Sequence, residues 1–268
     1  MRIPQLYSIK EIEKKFHTGE EPVMVLCSDM NSYICKYMRT SLPAFKLVCE
    51  IMGSYFAKSW NLHTPSVAIV KIPNSHWKNM NISHVQNSPA IGSKFMNGVV
   101  DLNPATTLEL NRSEDLLEQL LKIALFDFWI ANEDRNSNNY NLMYEVDSEK
   151  IVSIDYGCIF NTATFDYSLT QLTTTDTILY SELFNHLAEG SSSISLKNSV
   201  ENLRVWYDNN IRQSESMINI LKIIPAEWNV SNLNIENKLF ELFNKKWIEG
   251  VWNNFIENLF INLKKQII

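Results

Sequence analysis

The sequence predicts an α+β fold of two lobes, a small β-rich N-terminal lobe and a larger, mainly helical C-terminal lobe. Short apolar runs separated by polar turns fill the first third of the chain, and patterns of helical period dominate the rest. With 268 residues, 45% of them hydrophobic, the chain is long enough to bury a sizeable core. We place the lobes at residues 1–97 and 98–268.

The N-terminal lobe is predicted to contain a β-hairpin, a helix and two further strands. Four short apolar runs predict the strands: Val23–Cys27, Tyr33–Met38, Ser66–Ile72 and Ala90–Met96. The polar turn 28–32 joins the first two runs, and Lys36 lies within the second. After Pro43, apolar residues recur at three- and four-residue steps, which predicts a helix with Glu50 away from the centre of its apolar stripe.

The C-terminal lobe is predicted to begin with a buried helix and to end in a helical bundle. Residues Ser113–Ala131 carry a broad apolar face and run directly into the polar segment 132–139. Two short strands follow, Tyr140–Glu145 and Ile151–Ile154. The last third has helical spacing, and its tryptophans stand among Leu and Ile, which predicts core packing: Trp206, Trp228, Trp247 and Trp252.

Composition argues against several classes of protein. The excess of 30 Asp and Glu over 24 Lys and Arg gives a net charge of −6, which disfavours broad contact with nucleic acid. The five histidines include no pair spaced for zinc, and no G-x-S-x-G occurs. No leader core or apolar stretch of membrane length is visible, so we expect a cytoplasmic protein without membrane contact. The four cysteines have no CxxC spacing and are predicted to be buried thiols: Cys27, Cys35, Cys49 and Cys158.

The polar segment 132–139 holds two residues with the spacing of a catalytic loop. Asp134 and Asn139 are five residues apart, as in protein kinases, where the Asp accepts the proton of the substrate hydroxyl and the Asn binds Mg²⁺. The same residues also suit a helix cap and Asx-turns, and the spacing alone leaves both readings open. Asp155 ends a predicted strand and precedes Tyr156 and Gly157, which resembles the metal-binding Asp-Phe-Gly of kinases.

Two upstream residues fit the nucleotide site of the same chemistry. A lysine on a strand can hold the phosphates of ATP when a carboxylate on the following helix orients it, and Lys36 and Glu50 fit those positions. Solvated surface charges are the alternative reading. The parts occur in the order of a protein kinase: Lys36, Glu50, the strand 90–96, Asp134, Asn139 and Asp155. This joint agreement favours a phosphotransferase that uses ATP and Mg²⁺.

The segments Phe126–Asn139 and Ile154–Gly157 resemble the N-x-D-R-x-x-x-N signature, and the Asp that follows it, of HipA-like kinases. Looser similarity extends through Tyr33–Lys36, Ile91–Met96 and Ile224–Trp228, and thus over most of the chain. The resemblance implies a two-lobed protein-kinase-like fold with ATP between the lobes. It also implies transfer of phosphate to Ser or Thr hydroxyls of proteins.

The resemblance further implies a role for each matching residue. Asp134 would be the catalytic base, Lys36 the phosphate clamp and Glu50 its orienting partner. Asn139 and Asp155 would bind Mg²⁺. The adenine of ATP would bind at a hinge of three residues: Lys94, Phe95 and Met96.

Two departures from the kinase pattern are visible. The hairpin turn Ser28–Ser32 contains no glycine, which predicts that a glycine-rich cover for the phosphates is missing. Ser28 and Ser32 are then either autophosphorylation sites, as in some relatives, or ordinary turn serines. No Ala-Pro-Glu follows Asp155, so the substrate groove cannot be inferred from other kinases.

The leading functional prediction is a Ser/Thr protein kinase, either the toxin of a toxin–antitoxin pair or another bacterial regulator. By the resemblance, its partners would be a protein substrate, for which relatives use translation components such as aminoacyl-tRNA synthetases, and an antitoxin protein. No direct nucleic acid partner is expected. Two alternatives stay open: a kinase-fold enzyme that acts on a lipid or small molecule, and an ATP-binding module without catalysis.

Overall fold

A six-stranded sheet forms most of the N-terminal third. It is seen in a computed structural model that describes residues 3–39, 43–77, 88–163, 165–189, 193–215 and 218–265. The strands are β1 (Gln5–Tyr7), β2 (Lys14–Lys15), β3 (Val23–Leu26), β4 (Ser32–Lys36), β5 (Val67–Lys71) and β6 (Ala90–Lys94). Their order is β1-β5-β6-β4-β3-β2, and all neighbours are antiparallel except β1 and β5.

The predicted hairpin is present as β3 and β4, with Val23 opposite Cys35. Side chains alternate between the faces of a strand, so buried Cys35 and its neighbour Lys36 point to opposite sides of the sheet. Cys35 belongs to a small core on one face, whereas Ile91, which pairs with Lys36, belongs to the main core that includes the following helix. The alternation therefore directs Lys36 toward that helix.

The helix α1 (Ala44–Ser59) follows Pro43, as predicted, and its middle is buried. Glu50 is 3% exposed although it lies on a helix between a sheet and other helices. A carboxylate rarely occupies such a position without a partner, so its burial calls for a compensating cation or hydrogen bonds. Lys46 precedes Glu50 by one turn and lies on the same side of the helix.

A second, three-stranded sheet adjoins the linker that leaves β6. Its strands are β7 (Val99–Asp101), β8 (Leu142–Glu145) and β9 (Lys150–Ser153), antiparallel in the order β7-β8-β9. Residues 95–98 connect the two sheets, and a lobe boundary at residue 97 stays a prediction. Between β7 and β8 lie α2 (Pro104–Thr107) and α3 (Glu114–Ile130). The Ser113 side chain caps α3 by accepting from the Leu116 N–H at 3.0 Å.

The rest of the described chain is mainly helical. The short segment α4 (Ile159–Ala163) is a tight turn with left-handed backbone at residues 160–162. The helices that follow it are α5 (Glu182–Ala188), α6 (Ser193–Glu215), α7 (Asn232–Leu242) and α8 (Lys245–Lys265). Short 3₁₀ turns occur at Asn74–Trp77, Ile178–Tyr180, Ile218–Ile223 and Ala226–Trp228. A sheet-containing N-terminal region followed by a helical C-terminal region is the predicted α+β arrangement.

Tryptophan side chains fix α1 to the C-terminal helices. Trp60 stacks on Trp129 of α3 with ring centroids 4.7 Å apart, and Trp206 of α6 lies edge-on to Trp60 at 5.2 Å. The Trp247 indole donates a hydrogen bond to the Trp129 carbonyl at 2.9 Å, and Trp228 is buried. These contacts agree with the predicted core role of the late tryptophans, and they hold α1 rigidly against the helical region.

Several features differ from the sequence expectations. Strands β1, β2 and β7 were not predicted, because each has two or three residues with little apolar alternation. Cys27, Cys35 and Cys49 are buried free thiols, but Cys158 is partly exposed, so its predicted burial was wrong. The segment Pro73–Pro89, rich in Asn, Ser and His, is predicted from the sequence to be a polar loop, and its residues 78–87 lie outside the described residues. Across the described part of the chain, no helix has the length and apolarity to cross a membrane.

Candidate active site

The ammonium group of Lys36 lies among three carboxylates. Its Nζ atom is 2.6 Å from Asp155 Oδ1, 2.8 Å from Glu20 Oε2 and 3.0 Å from Glu50 Oε2. The Lys36 side chain is 15% exposed. Burial opposes its charge, but the three carboxylates outweigh burial and hold the pKa of Lys36 well above its usual value. Lys36 is therefore a fixed cation at neutral pH.

Glu50 links the strand that carries Lys36 to the segment that carries Asp155. Its Oε2 atom accepts from Lys36 Nζ at 3.0 Å and from the Tyr156 backbone N–H at 3.1 Å. These partners supply the compensation that its burial on α1 requires. Burial raises the pKa of Glu50 to about 7, and the Lys36 charge only partly opposes this effect.

This raised pKa predicts a pH dependence of stability. The folded protein binds a proton on Glu50 more tightly than the unfolded chain, whose glutamates titrate near 4.5. The contribution of protonated Glu50 to the free energy of unfolding is therefore complete below pH 4.5. It is lost as the pH rises through about 7. We expect the free energy of unfolding to fall over this range by on the order of 1 kcal/mol per pH unit.

Urea denaturation of the wild type and of Glu50→Gln between pH 5 and pH 8 measures this effect. The glutamine variant cannot titrate, so its stability should depend less steeply on pH than that of the wild type. Asp155 has a pKa below its usual value, so its own linkage lies at more acidic pH, outside this window. Equal slopes in the two proteins would contradict the raised pKa of Glu50.

Asp155 follows β9 in a left-handed backbone conformation, with φ of 58°. Its Oδ1 atom accepts from Lys36 Nζ and from the Gly157 N–H at 3.3 Å. Burial favours the neutral carboxyl group, but Lys36 outweighs it and holds the pKa of Asp155 below its usual value. The side chain is 34% exposed, so an ionised carboxylate on an unusual backbone conformation is partly open to solvent.

Arg135 fastens the loop after α3 to the segment around Asp155. It is fully buried and donates to Asp127 Oδ1 at 2.5 Å and to the Ile154 carbonyl at 2.7 Å. Its guanidinium also lies 5.1 Å from the centre of the Tyr156 ring. Asn132 donates to the same Asp127 oxygen at 2.9 Å. These contacts limit the movement of the loop.

Asp134 lies in that loop beside an asparagine that sequence reasoning missed. Its Oδ2 atom accepts from Asn141 Nδ2 at 2.9 Å, and its N–H donates to Asn132 Oδ1 at 3.4 Å. The Asn141 carbonyl accepts from the Ile154 N–H at 3.1 Å, next to Asp155. The only sequence signal for Asn141 is its place at the start of the strand that follows the loop.

Asn139 lies at the exposed end of the loop. Its N–H donates to Asn136 Oδ1 at 3.2 Å and its carbonyl accepts from the Asn136 N–H, so its backbone forms the Asx-turn of the alternative reading. With Asn141 and Ile154 it lines a cavity of about 210 Å³. The structure thus brings together Lys36, Glu50 and Asp155. None of these three residues lines the cavity of Asn139. The metal role of Asn139 stays a prediction.

The loop that covers Lys36 joins β2 to β3 and spans residues 16–22. It contains Gly19, and its Glu20 contacts Lys36. The turn 28–32 lies at the other end of β4, about 13 Å from Lys36 at roughly 3.3 Å per residue. The turn 28–32 thus lies away from Lys36, whereas the loop 16–22 contacts it through Glu20. The lack of a glycine-rich cover for the phosphates stays a prediction. The two-residue strand β2 gave too little pattern to predict the loop 16–22.

The predicted adenine hinge lies where the chain leaves the six-stranded sheet. The Lys94 N–H donates to the Ser66 carbonyl at 2.8 Å, and the Phe95 N–H donates to the Ser32 carbonyl at 2.9 Å. Phe95 is exposed and Met96 partly buried. The three residues thus start the connection to the second sheet, and their contact with adenine stays a prediction.

Comparison with known proteins identifies the family of this chain. A sequence model of the HipA-like kinase family matches residues 9–255. The chain belongs to the HipA-like kinase family. This membership agrees with the predicted resemblance, and it makes the protein a kinase by family. A comparison with curated proteins gave no match.

One solved structure agrees with the fold of this HipA-like kinase. The Helicobacter pylori proinflammatory kinase CtkA matches over 95% of this chain and 99% of its own, with a TM-score of 0.57 and 13% identity. At that identity the match shows a kinase fold and nothing finer. A match to the structure of the open conformation of CtTel1 covers 92% of this chain and 12% of the CtTel1 chain, at 10% identity. Its TM-score of 0.39 is too low to support a conclusion.

Proposed function

We propose that the protein transfers the γ-phosphate of Mg-ATP to a Ser or Thr hydroxyl of a protein. The observation that supports this most strongly is the contact of Lys36 with both Glu50 and Asp155. It joins a strand, a helix and the Asp-Tyr-Gly segment around one cation, which is the arrangement that kinases use to position the phosphates of ATP.

The chemistry of Asp155 fits a magnesium ion. Its carboxylate is ionised and one-third exposed, and both of its hydrogen bonds end on Oδ1. Mg²⁺ prefers oxygen ligands and usually keeps waters, so one or two protein oxygens and the phosphates are sufficient. Asp155 and Asn139 would hold the ion. Bound there, it would neutralise charge on the phosphate oxygens during transfer.

Within this proposal each protein group has one task. Lys36 binds oxygens of the ATP phosphates, and Glu50 keeps its ammonium in place. The substrate oxygen forms a bond to the γ-phosphorus while the bond to the bridging oxygen of ADP breaks. The hydroxyl proton passes to the Asp134 carboxylate, which Asn141 orients through the hydrogen bond at 2.9 Å.

Asn141→Ala is expected to lower kcat by about tenfold with little change in the KM for ATP, because a base that is poorly oriented slows transfer. Asn138→Ala is the matched control, since Asn138 is exposed and its described hydrogen bond uses only its backbone N–H. Steady-state kinetics of both variants measure the effect. A rise in KM at unchanged kcat would contradict the positioning role of Asn141.

The acceptor and the biological setting are proposed from the family resemblance. We propose a cytoplasmic protein substrate, with translation components such as aminoacyl-tRNA synthetases as the first class to examine. A role as a toxin or regulator neutralised by an antitoxin protein belongs to the same proposal. Phosphorylation of a lipid or small molecule, and nucleotide binding without catalysis, are the competing functions.

Labelling of a bacterial lysate with radioactive ATP and Mg²⁺ tests the proposal. Wild-type protein should label one or a few proteins on Ser or Thr, and Asp155→Ala should label none. Asp147→Ala, at an exposed aspartate in the turn after β8, is the control. Label in the lipid or small-molecule fraction alone would support the first competing function. ATP binding without any labelling would support the second.

A further inference from the structure

The carboxylate of Glu20 lies between two lysines in the candidate nucleotide cleft. Its Oε2 atom is 2.8 Å from Lys36 Nζ, and its Oε1 atom is 3.5 Å from Lys46 Nζ. Lys46 lies in the first turn of α1, and its Nζ atom is also 3.8 Å from Cys158 Sγ, close to Asp155 in sequence. Two ammonium groups therefore converge on one anionic group.

The covering loop 16–22 is anchored with Glu20 directed inward. Arg39 donates to the Gly19 carbonyl at 3.0 Å and to Glu21 Oε2 at 2.5 Å. Lys15 contacts the other Glu21 oxygen at 2.9 Å. The residues on either side of Glu20 are thus tied to the sheet, so its position between the lysines is a feature of the folded loop.

Glu20 is held less firmly than the other two carboxylates around Lys36. Glu20, Glu50 and Asp155 each contact the Lys36 ammonium. Glu50 and Asp155 are held by backbone N–H groups as well as by Lys36. The described contacts of the Glu20 carboxylate are with the two lysines, at 2.8 Å from Lys36 Nζ and 3.5 Å from Lys46 Nζ, and phosphate oxygens can take the place of such contacts.

We infer that Lys36 and Lys46 together form a two-lysine site for the phosphates of the nucleotide, and that Glu20 occupies this site until the phosphates displace it. The inference rests on the proposed function and adds two residues to it. Lys46 becomes a second phosphate-binding residue. Glu20 becomes an internal competitor that weakens nucleotide binding.

Binding of ATP, tripolyphosphate and adenosine to the full chain, measured by isothermal titration calorimetry, tests the inference. Glu20→Gln should bind ATP and tripolyphosphate about tenfold more tightly than wild type, because it removes a competing charge. Lys46→Gln should bind both about tenfold more weakly. Adenosine carries no phosphate, so its affinity should stay within about twofold in both variants.

Matched variants separate local from general charge effects. Glu11→Gln removes an exposed carboxylate of the same lobe, and Lys58→Gln removes an exposed lysine twelve residues after Lys46 on α1. Neither should change the ATP affinity. The inference fails if Glu20→Gln leaves ATP affinity unchanged, or if adenosine and ATP affinities shift together. If neither the wild type nor Glu20→Gln binds ATP, the result contradicts the proposed function itself.

Discussion

Replacement of Asp134 by asparagine is expected to lower the rate of phosphate transfer by about two or more orders of magnitude. An amide cannot accept the proton of the attacking hydroxyl, but it has the size of the carboxylate and its oxygen can still accept from Asn141. The fold and the affinity for ATP should therefore be retained. Single-turnover transfer to an identified substrate, together with ATP titration, measures both quantities.

Asp147→Asn makes the same chemical change at an exposed aspartate and should transfer phosphate at the wild-type rate. Comparable thermal unfolding of the three proteins establishes that the Asp134→Asn variant is folded. If this variant then transfers phosphate normally, Asp134 is not the base. In that case the helix cap and the Asx-turns would be enough to explain the polar residues of the loop.

Gly53→Ala is expected to destabilise the protein by about 2 kcal/mol or more. A Cβ atom at position 53 would lie 2.3 Å from Tyr156 Cβ and 2.6 Å from Tyr156 Cγ, far inside contact distance. Such overpacking costs about 3 kcal/mol, whereas the better helix propensity of alanine returns only about 1 kcal/mol. Either α1 or Tyr156 must move, and Asp155 moves with its neighbour, so phosphate transfer should fall as well.

Urea denaturation compares this variant with Gly19→Ala, where a new Cβ would meet no heavy atom within 4 Å. Gly19→Ala should unfold at the wild-type urea concentration. Wild-type stability of Gly53→Ala would mean that α1 does not pack directly on Tyr156. The close contact between the helix of Glu50 and the Asp-Tyr-Gly segment would then be incorrect.

Local patterns were sufficient to predict the elements that carry the site. The alternation of β4, the apolar period of α1 and α3, and the polar turn after α3 all agree with the structure, because each reflects burial within a short segment. Lys36 and Asp155 were identified from the type of element on which they lie. Their contact at 2.6 Å joins residues 119 positions apart, and only the order of the motifs suggested it.

Features that depend on distant packing were not predictable from local patterns. Glu50 was expected away from the centre of the apolar stripe, and its burial is possible because Lys36 and the Tyr156 N–H satisfy its charge. Asn141 contacts Asp134 only because the loop turns back on itself. Strand β1 exists because it pairs with β5, more than fifty residues later in the chain. The covering loop follows a strand too short to be recognised.

The most direct test of the nucleotide site is a crystal structure with Mn²⁺ and a non-hydrolysable ATP analogue, in which anomalous scattering locates the metal. We predict a metal peak coordinated by Asp155 and by phosphate oxygens, with those oxygens also bound by Lys36. The same map tests Asn139 as the second protein ligand. A metal and phosphates bound away from both Lys36 and Asp155 would contradict the assignment of this cleft.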